Sequence, residues 1–199
     1  MNFAIFRRRF AVAVAVTALV FPLVGQARAR SNESNTPTDK QFLTTAAEIN
    51  LGEIELGKLA EQKGNNAAVK DFGKRMITDH SLLEDQVKTV AKNEGVTLPT
   101  TAGPDVAALQ KQLAKDSGAK FDQAYIQHML AGHNRAITTF EYQIEHGQNG
   151  AIKSYAESAL PVIQDHIRIA EDVAGKMGLS GKSGLDQPGK AISASAVPE

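Results

Sequence analysis

Three histidines stand where a helical protein keeps apolar side chains. His80 falls in the series Val69, Phe72, Met76, His80, Leu83, Val87, Val90, and His166 in the series Ile152, Ala156, Ala159, Ile163, His166, Ala170, Val173, Met177. His133 follows Ile126 and Met129 and precedes Ala136 or Ile137 and Phe140. Steps of three and four put each series on one helix face, the face that packs inward. Imidazoles converging from three helices form a ligand set for a divalent transition metal. Met76 and Met129 lie one turn before His80 and His133 on the same faces. Thioether with imidazole favours copper, or an axial pair for haem. Glu53 or Glu48 would supply a carboxylate. The competing reading is a buried hydrogen-bond layer in which each histidine pairs with Asn, Tyr or a trapped water and fixes helix register. In that case the methionines only fill gaps in the core. Asp79 and Asp165 adjoin two of the histidines, either as their hydrogen-bond partners or as ion pairs with neighbouring turns, and the second role is preferred.

Four long helical patterns must position these groups. The first runs from about Asp39 to Lys63 before Gly64. The second starts behind Asn66 as N-cap and ends near Glu94 before Gly95. A connector over 96–117 holds Pro99 and Pro104 and a short helix at 105–115. The third pattern runs from about Ala119 to His146 before Gly147, and the fourth from behind Asn149 to Met177 before Gly178. Asn50, His80, His133 and His166 each fall within about three residues of their helix midpoint, so they share one level of a bundle to within roughly 5 Å. Pro161 must free a carbonyl and bend the fourth helix. Asp122 is expected to complement the dipole of its own helix. Tyr125 and Tyr155 are expected as core aromatics with hydroxyls at a polar edge, and His128 and His146 as surface residues.

Composition excludes other chemistries. There is no cysteine, hence no disulfide, thiolate zinc site, iron–sulfur cluster or thiol nucleophile. No His-Glu-x-x-His, Walker loop or Gly-x-Ser-x-Gly element occurs, and no activated nucleophile is visible. The residues three before His80, His133 and His166 are Ile77, Leu130 and Ile163, and those before His128 and His146 are Tyr125 and Gln143. The Glu-x-x-His motif of di-iron bundles is therefore missing, and no di-iron site is expected.

Residues 1–29 have the order of a secretory signal: Arg7-Arg8-Arg9, an apolar run of about 15 residues from Phe10 to Val24, then Ala27-Arg28-Ala29. That run is short for a spanning helix of roughly 20 residues. Arg7-Arg8-Arg9-Phe10 also resembles a twin-arginine export motif. Beyond residue 29, 18 basic residues (22 − 4) face 22 acidic ones, a balance that argues against nucleic acid as partner. Residues 30–37 read as a polar linker, 38–177 as the bundle domain and 178–199 as a Gly-, Ser- and Ala-rich tail.

The two halves look alike. Asn66-Ala-Ala-Val-Lys-Asp-Phe matches Asn149-Gly-Ala-Ile-Lys-Ser-Tyr, and Ile77-Thr-Asp-His80 matches Ile163-Gln-Asp-His166 after a three-residue offset. Aligning Lys70 with Lys153 sets Asn50 opposite His133. The fold expected is all-α, a ferritin-like four-helix bundle of two similar hairpins with a short extra helix in a long central connector. Phe42, Ala46, Asn50, Glu53, Val69, Phe72, Met76-Ile-Thr-Asp-His80, Leu98-Pro99, Phe121-Asp122-x-x-Tyr125, His133 and Leu160-Pro161-x-x-x-Asp165-His166 carry a resemblance over about 38–177. The chain resembles the uncharacterised bacterial "predicted outer membrane protein" family, a ferritin-like domain of unknown function. That resemblance implies an exported helical bundle and no established reaction. The leading expectation is a non-enzymatic periplasmic or secreted bundle with a structural or stress-protective role in the cell envelope. The alternative is a bundle binding copper, zinc, iron or haem through His80, His133 and His166, with Met76, Met129 and Glu53 as helpers. Association with the envelope or with further copies of the chain stays open.

Overall fold

The computed structural model describes residues 37–179, which contain five α-helices and no strand. The export segment 1–29, residues 30–36 of the linker and 180–199 of the tail lie outside the described residues. Helices α1 (Pro37–Lys63) and α2 (Ala67–Asn93) form one hairpin, and α4 (Gly118–His146) and α5 (Gly150–Lys176) form the other. Helix α3 (Gly103–Leu113) sits in the connector. Each hairpin packs within itself, α1 also meets α4, and α2 meets α5, so the four long helices enclose one interior as a helical bundle. Helix α3 lies against α1 and α4. Among the described residues no helix is long and apolar enough to cross a membrane.

Local chemistry accounts for the helix ends. The Asn66 side chain accepts from Ala68 N, and that of Asn149 accepts from Ala151 N and Ile152 N, each satisfying donors a helix start leaves over. Gly95 and Gly178 take positive φ (68° and 71°) just after α2 and α5. Three expectations shift at the edges, the first being the connector helix expected at 105–115, which runs Gly103–Leu113. Pro37, assigned to the linker, opens α1, where its fixed φ suits the first helical turn. Gly178 and Leu179, assigned to the tail, close α5, with Leu179 N donating to Ala174 O at 2.9 Å.

The repeat is regular: α2 and α5 are offset by 83 residues at both ends (150 − 67 and 176 − 93). The same offset relates two aspartates that tie the hairpins together. Asp122 on α4 does not serve its own helix. Its carboxylate is buried and accepts from Asn65 N and Asn66 N at 2.9 and 2.8 Å, in the α1–α2 turn. Asp39 on α1 reciprocates in the α4–α5 turn, accepting from Gln148 N and Gln143 Nε2 at 3.2 and 2.7 Å. A turn fastened by the opposite hairpin has its amides satisfied only when both hairpins dock.

The interior is two apolar halves rather than one. Phe42, Leu43, Leu83, Val87, Phe140, Ile152 and Ile163 belong to one cluster, and Leu56, Phe72, Met76, Phe121, Ile126 and Met129 to the other. On every long helix the residues between the two sets are polar: Asn50 and Glu53, His80, His133, and His166. Close backbone approach sets the α1–α2 seam. A Cβ at Gly73 would lie 2.8 Å from Gly57 O, and one at Gly57 would lie 2.7 Å from Gly73 O. Gly73→Ala must therefore push α1 from α2 and is expected to lower stability by ~1–3 kcal/mol. Asp122→Ala, which strands two amides, should lower it by a similar ~1–3 kcal/mol. Chemical denaturation checks both.

Candidate metal centre

The three expected histidines meet. His80, His133 and His166 are all buried, with ring centroids 5.2 to 5.8 Å apart, and each offers one ring nitrogen to a group whose members lie within 4.8 Å of one another. Their outer nitrogens are committed elsewhere, and those commitments fix the tautomers. The Leu83 carbonyl can only accept, so the Tyr155 hydroxyl donates to it at 3.4 Å. Tyr155 then accepts from Asn50 Nδ2 at 3.3 Å, which turns Asn50 Oδ1 towards His80. His80 Nδ1 must carry the proton it gives to Asn50 Oδ1 at 3.0 Å, leaving Nε2 as a bare lone pair. His133 Nδ1 donates to the Met129 carbonyl at 3.0 Å, and its Nε2 is likewise bare.

His166 completes the set. Its Nε2 donates to Asp79 Oδ2 at 3.0 Å, so a neutral His166 turns an unprotonated Nδ1 to His133 Nε2, 3.3 Å away. Burial pushes the pKa of His166 down, with the Asp79 hydrogen bond opposing it. His133 is pushed down to about 3 by burial, then by His166, and His80 falls well below its usual value through burial and the other two rings. Asp79 feels burial raising its pKa, but hydrogen bonds from His166 and Arg75 leave it below the usual range, so it is a carboxylate at neutral pH. Three neutral imidazoles thus face one another with no proton between them, and His80 Nε2 has no partner among the described residues.

The helper residues are placed differently. Met76 and Met129 sit in the apolar cluster on one side of the layer, and the Met129 carbonyl accepts from His133 Nδ1. Glu53 stands behind His133, with Oε1 3.8 Å from Nδ1, the nitrogen turned away from the other rings. Burial pushes Glu53 up to about 8 against the pull of Arg135, and its Oε2 lacks a partner. Glu48 and Glu53 line a cleft of about 370 Å³ between α1, α3 and α4, together with His128 and Arg135. His128, expected at the surface, is half-buried there and pushed down to about 4 by burial. His146 is exposed, as expected.

Asp79 does not serve the neighbouring His80. Its partners are His166 across on α5 and Arg75 one turn back, so the preferred ion-pair role holds and the histidine it serves is not the one it adjoins. Asp165 is held in ion pairs, with Arg168 at 2.6 Å and Arg75 at 3.3 Å. Arg75 and the Leu83 carbonyl were not singled out from the sequence. An arginine one turn before Asp79 was a readable signal, whereas the Leu83 carbonyl had none.

These features define an all-helical bundle with a buried three-histidine centre. The chain belongs to the family described as a domain of unknown function (DUF4142), whose model matches residues 24–173. No curated protein matches it. Its fold is similar to that in the crystal structure of a DUF305 fragment from Deinococcus radiodurans, with TM-score 0.63 and 14% identity, over 71% of this chain and 98% of that one. At that identity the likeness concerns the helical fold alone.

The buried groups make stability depend on pH in two opposite senses. His80, His128, His133 and His166 have folded pKa values below the unfolded value, so their contribution is present above about 6.5 and is lost as pH falls. Glu53 is raised, so its contribution is present below about 4.5 and is lost as pH rises through about 8. Metal-free protein should be most stable near pH 6.5–7. Below that range its melting temperature should fall steeply, with net proton uptake on unfolding, and above it gently. Glu53→Gln should flatten the alkaline limb and steepen the acid limb between about pH 4.5 and 6.5. Calorimetry across pH checks both limbs.

Proposed function

We propose that this protein is a metal-binding bundle that holds one transition-metal ion on His80 Nε2, His133 Nε2 and His166 Nδ1. The observation that carries this reading is the set of three buried, unprotonated nitrogens facing one another. Two nitrogens at roughly 2.0–2.1 Å from a tetrahedral ion stand about 3.3–3.4 Å apart. The His133–His166 separation of 3.3 Å has that value. Each remote N–H is held by a carbonyl, an amide oxygen or a carboxylate, the arrangement that orients metal-binding imidazoles and raises their basicity. Imidazole donors suit copper, zinc and iron alike. Axial ligation of haem would require nitrogens about 4 Å apart on opposite sides of the iron, so the close pair favours a bare ion.

The scaffold reading is a ferritin-like four-helix bundle, supported by the duplicated hairpin and the long connector carrying α3. The export reading, to the periplasm or outside, rests on the arginine-led apolar segment before residue 29. Held there, the ion would be sequestered or carried outside the cytoplasm, in keeping with a protective role in the envelope. Three neutral ligands leave its full charge uncompensated at the centre, with Asp79 as the nearest carboxylate held to a ligand ring.

The test is titration of metal-free protein with Zn²⁺ beside His133→Asn, His166→Asn and the control His146→Asn. Expected are one equivalent bound, a gain of about 2.7 kcal/mol in unfolding free energy at a hundredfold excess over Kd, and at least hundredfold weaker binding in the first two variants. Wild type and the control should behave alike. Folded wild type that takes up no stoichiometric Zn²⁺, Cu⁺, Cu²⁺ or Fe²⁺ would contradict the proposal and leave the layer as a hydrogen-bond network that fixes register.

A further inference from the structure

The metal reading raises a question of access, because all three rings are buried. Four seams run along the bundle. The α1–α2 seam is shut by glycine-mediated backbone contact, and the α4–α5 seam is the second hairpin. The α1–α4 seam holds the cleft of about 370 Å³ that Glu53 lines, and α3 lies over it, where Gly52 admits Val106 to within 3.1 Å of a Cβ position and the Lys63 ammonium donates to the Ala114 carbonyl at the far end of the helix. The α2–α5 seam carries no such cover among the described residues. It is a groove of about 360 Å³ whose walls come from α2 and α5 alone.

One lining residue of that groove, Asp79, touches the centre through His166. Arg75, Asp79, Pro161 and Asp165 line the groove. Asp79 is 17% exposed at its side chain and Arg75 49%, whereas His166 is fully covered. One ring nitrogen of His166 is bound to Asp79 at the groove, and the other faces His133 in the centre. His166 is thus the partition between solvent-facing carboxylates and the buried nitrogens. What holds the partition closed is a chain of charge-assisted contacts: Arg75 Nε to Asp79 Oδ2 at 2.5 Å, then Asp79 Oδ2 to His166 Nε2 at 3.0 Å. Arg75 is fixed from its other end by Asp165, 3.3 Å from Nη2. No comparable chain serves the other two rings. His80 is anchored inward through Asn50 and Tyr155, and His133 is anchored to the backbone of its own helix.

We infer that the α2–α5 groove is the metal's entrance and exit, with His166 as its swinging gate and the Arg75–Asp79 pair as the latch. The inference rests on the metal reading and adds to it that the site exchanges its ion rather than burying it permanently. Release of Arg75 from Asp79 frees the His166 ring to turn and leaves the Asp79 carboxylate as an oxygen donor for a cation in the groove. Because the latch holds the gate shut with or without the ion, it sets rates. Asp79, which touches a ligand ring directly, sets affinity as well.

Arg75→Gln keeps an amide of similar length and removes the charge from an exposed position. Full-chain protein loaded with Zn²⁺ is mixed with a chromogenic chelator in excess, and the release rate is read by stopped flow. Uptake by metal-free protein is read separately, and Kd by competition. In Arg75→Gln both uptake and release should rise about tenfold or more, as expected when one charged contact is lost, while Kd moves less than about threefold. Asp165→Asn, which frees the other end of Arg75, should raise release by a smaller factor. Arg135→Gln, at the seam under α3, should leave both rates unchanged. Equal rates in Arg75→Gln and wild type, or acceleration by Arg135→Gln instead, would overturn the entrance while leaving the metal site standing. Wild type that takes up no Zn²⁺ would overturn both together.

Discussion

The structure turns on one constraint: three imidazoles in a buried layer have their outer N–H groups committed to fixed acceptors. Once those protons are placed, the inner nitrogens have none. An apolar layer at the same height would pack without conflict, and a hydrogen-bonded layer would place a proton between His133 and His166. Here the Asp79 carboxylate claims that proton from the other side of the ring. Neutral lone pairs at 3.3 Å repel, and burial prevents the simplest relief, which is to protonate one ring. A cation between the rings would relieve it, which is the basis of the metal proposal.

The rest of the fold can be understood as the means of holding that arrangement. Two apolar clusters flank the polar layer on both sides. Asp39 and Asp122, one on each hairpin, fasten the opposite turn and so set the axial register of the hairpins. A slip of one turn, about 5.4 Å, would separate the rings by more than a coordination sphere allows. The duplication does not extend to the centre itself. The 83-residue offset maps His80 onto Ile163 rather than His166, one turn short, and maps Asn50 onto His133. The two halves therefore contribute unequally: the first gives one imidazole and the amide that orients it, the second gives two imidazoles.

Much of this was legible because helix periodicity is strong. Stripes of three and four gave the four long helices within two residues, the asparagine caps and the common level of the histidines. What could not be read were relations across helices. Asp122 looked like a partner for its own dipole, because sequence reveals which helix a residue belongs to and not which turn it faces. Asp79 adjoins His80 in the chain, yet a rotation of about 100° per residue turns it toward α5 and His166. Met76 and Met129 share a face with the histidines and belong, as residues, to the apolar cluster on one side of them. The resemblance from the sequence pointed to a helical domain of unknown function. The family match agrees with that description, and it carries nothing on an outer membrane or on a ferritin-like class.

The most direct test of the account is the protonation pattern of the rings in metal-free protein. Long-range ¹H–¹⁵N correlation spectra of the histidine side chains at pH 7.5 report which nitrogen of each ring carries hydrogen. The account predicts Nδ1–H for His80 and His133 and Nε2–H for His166. His166 found as Nδ1–H, donating to His133 Nε2, or found doubly protonated at that pH, would contradict it, because a proton would then close the His133–His166 pair and leave His80 Nε2 as the one lone pair for an ion.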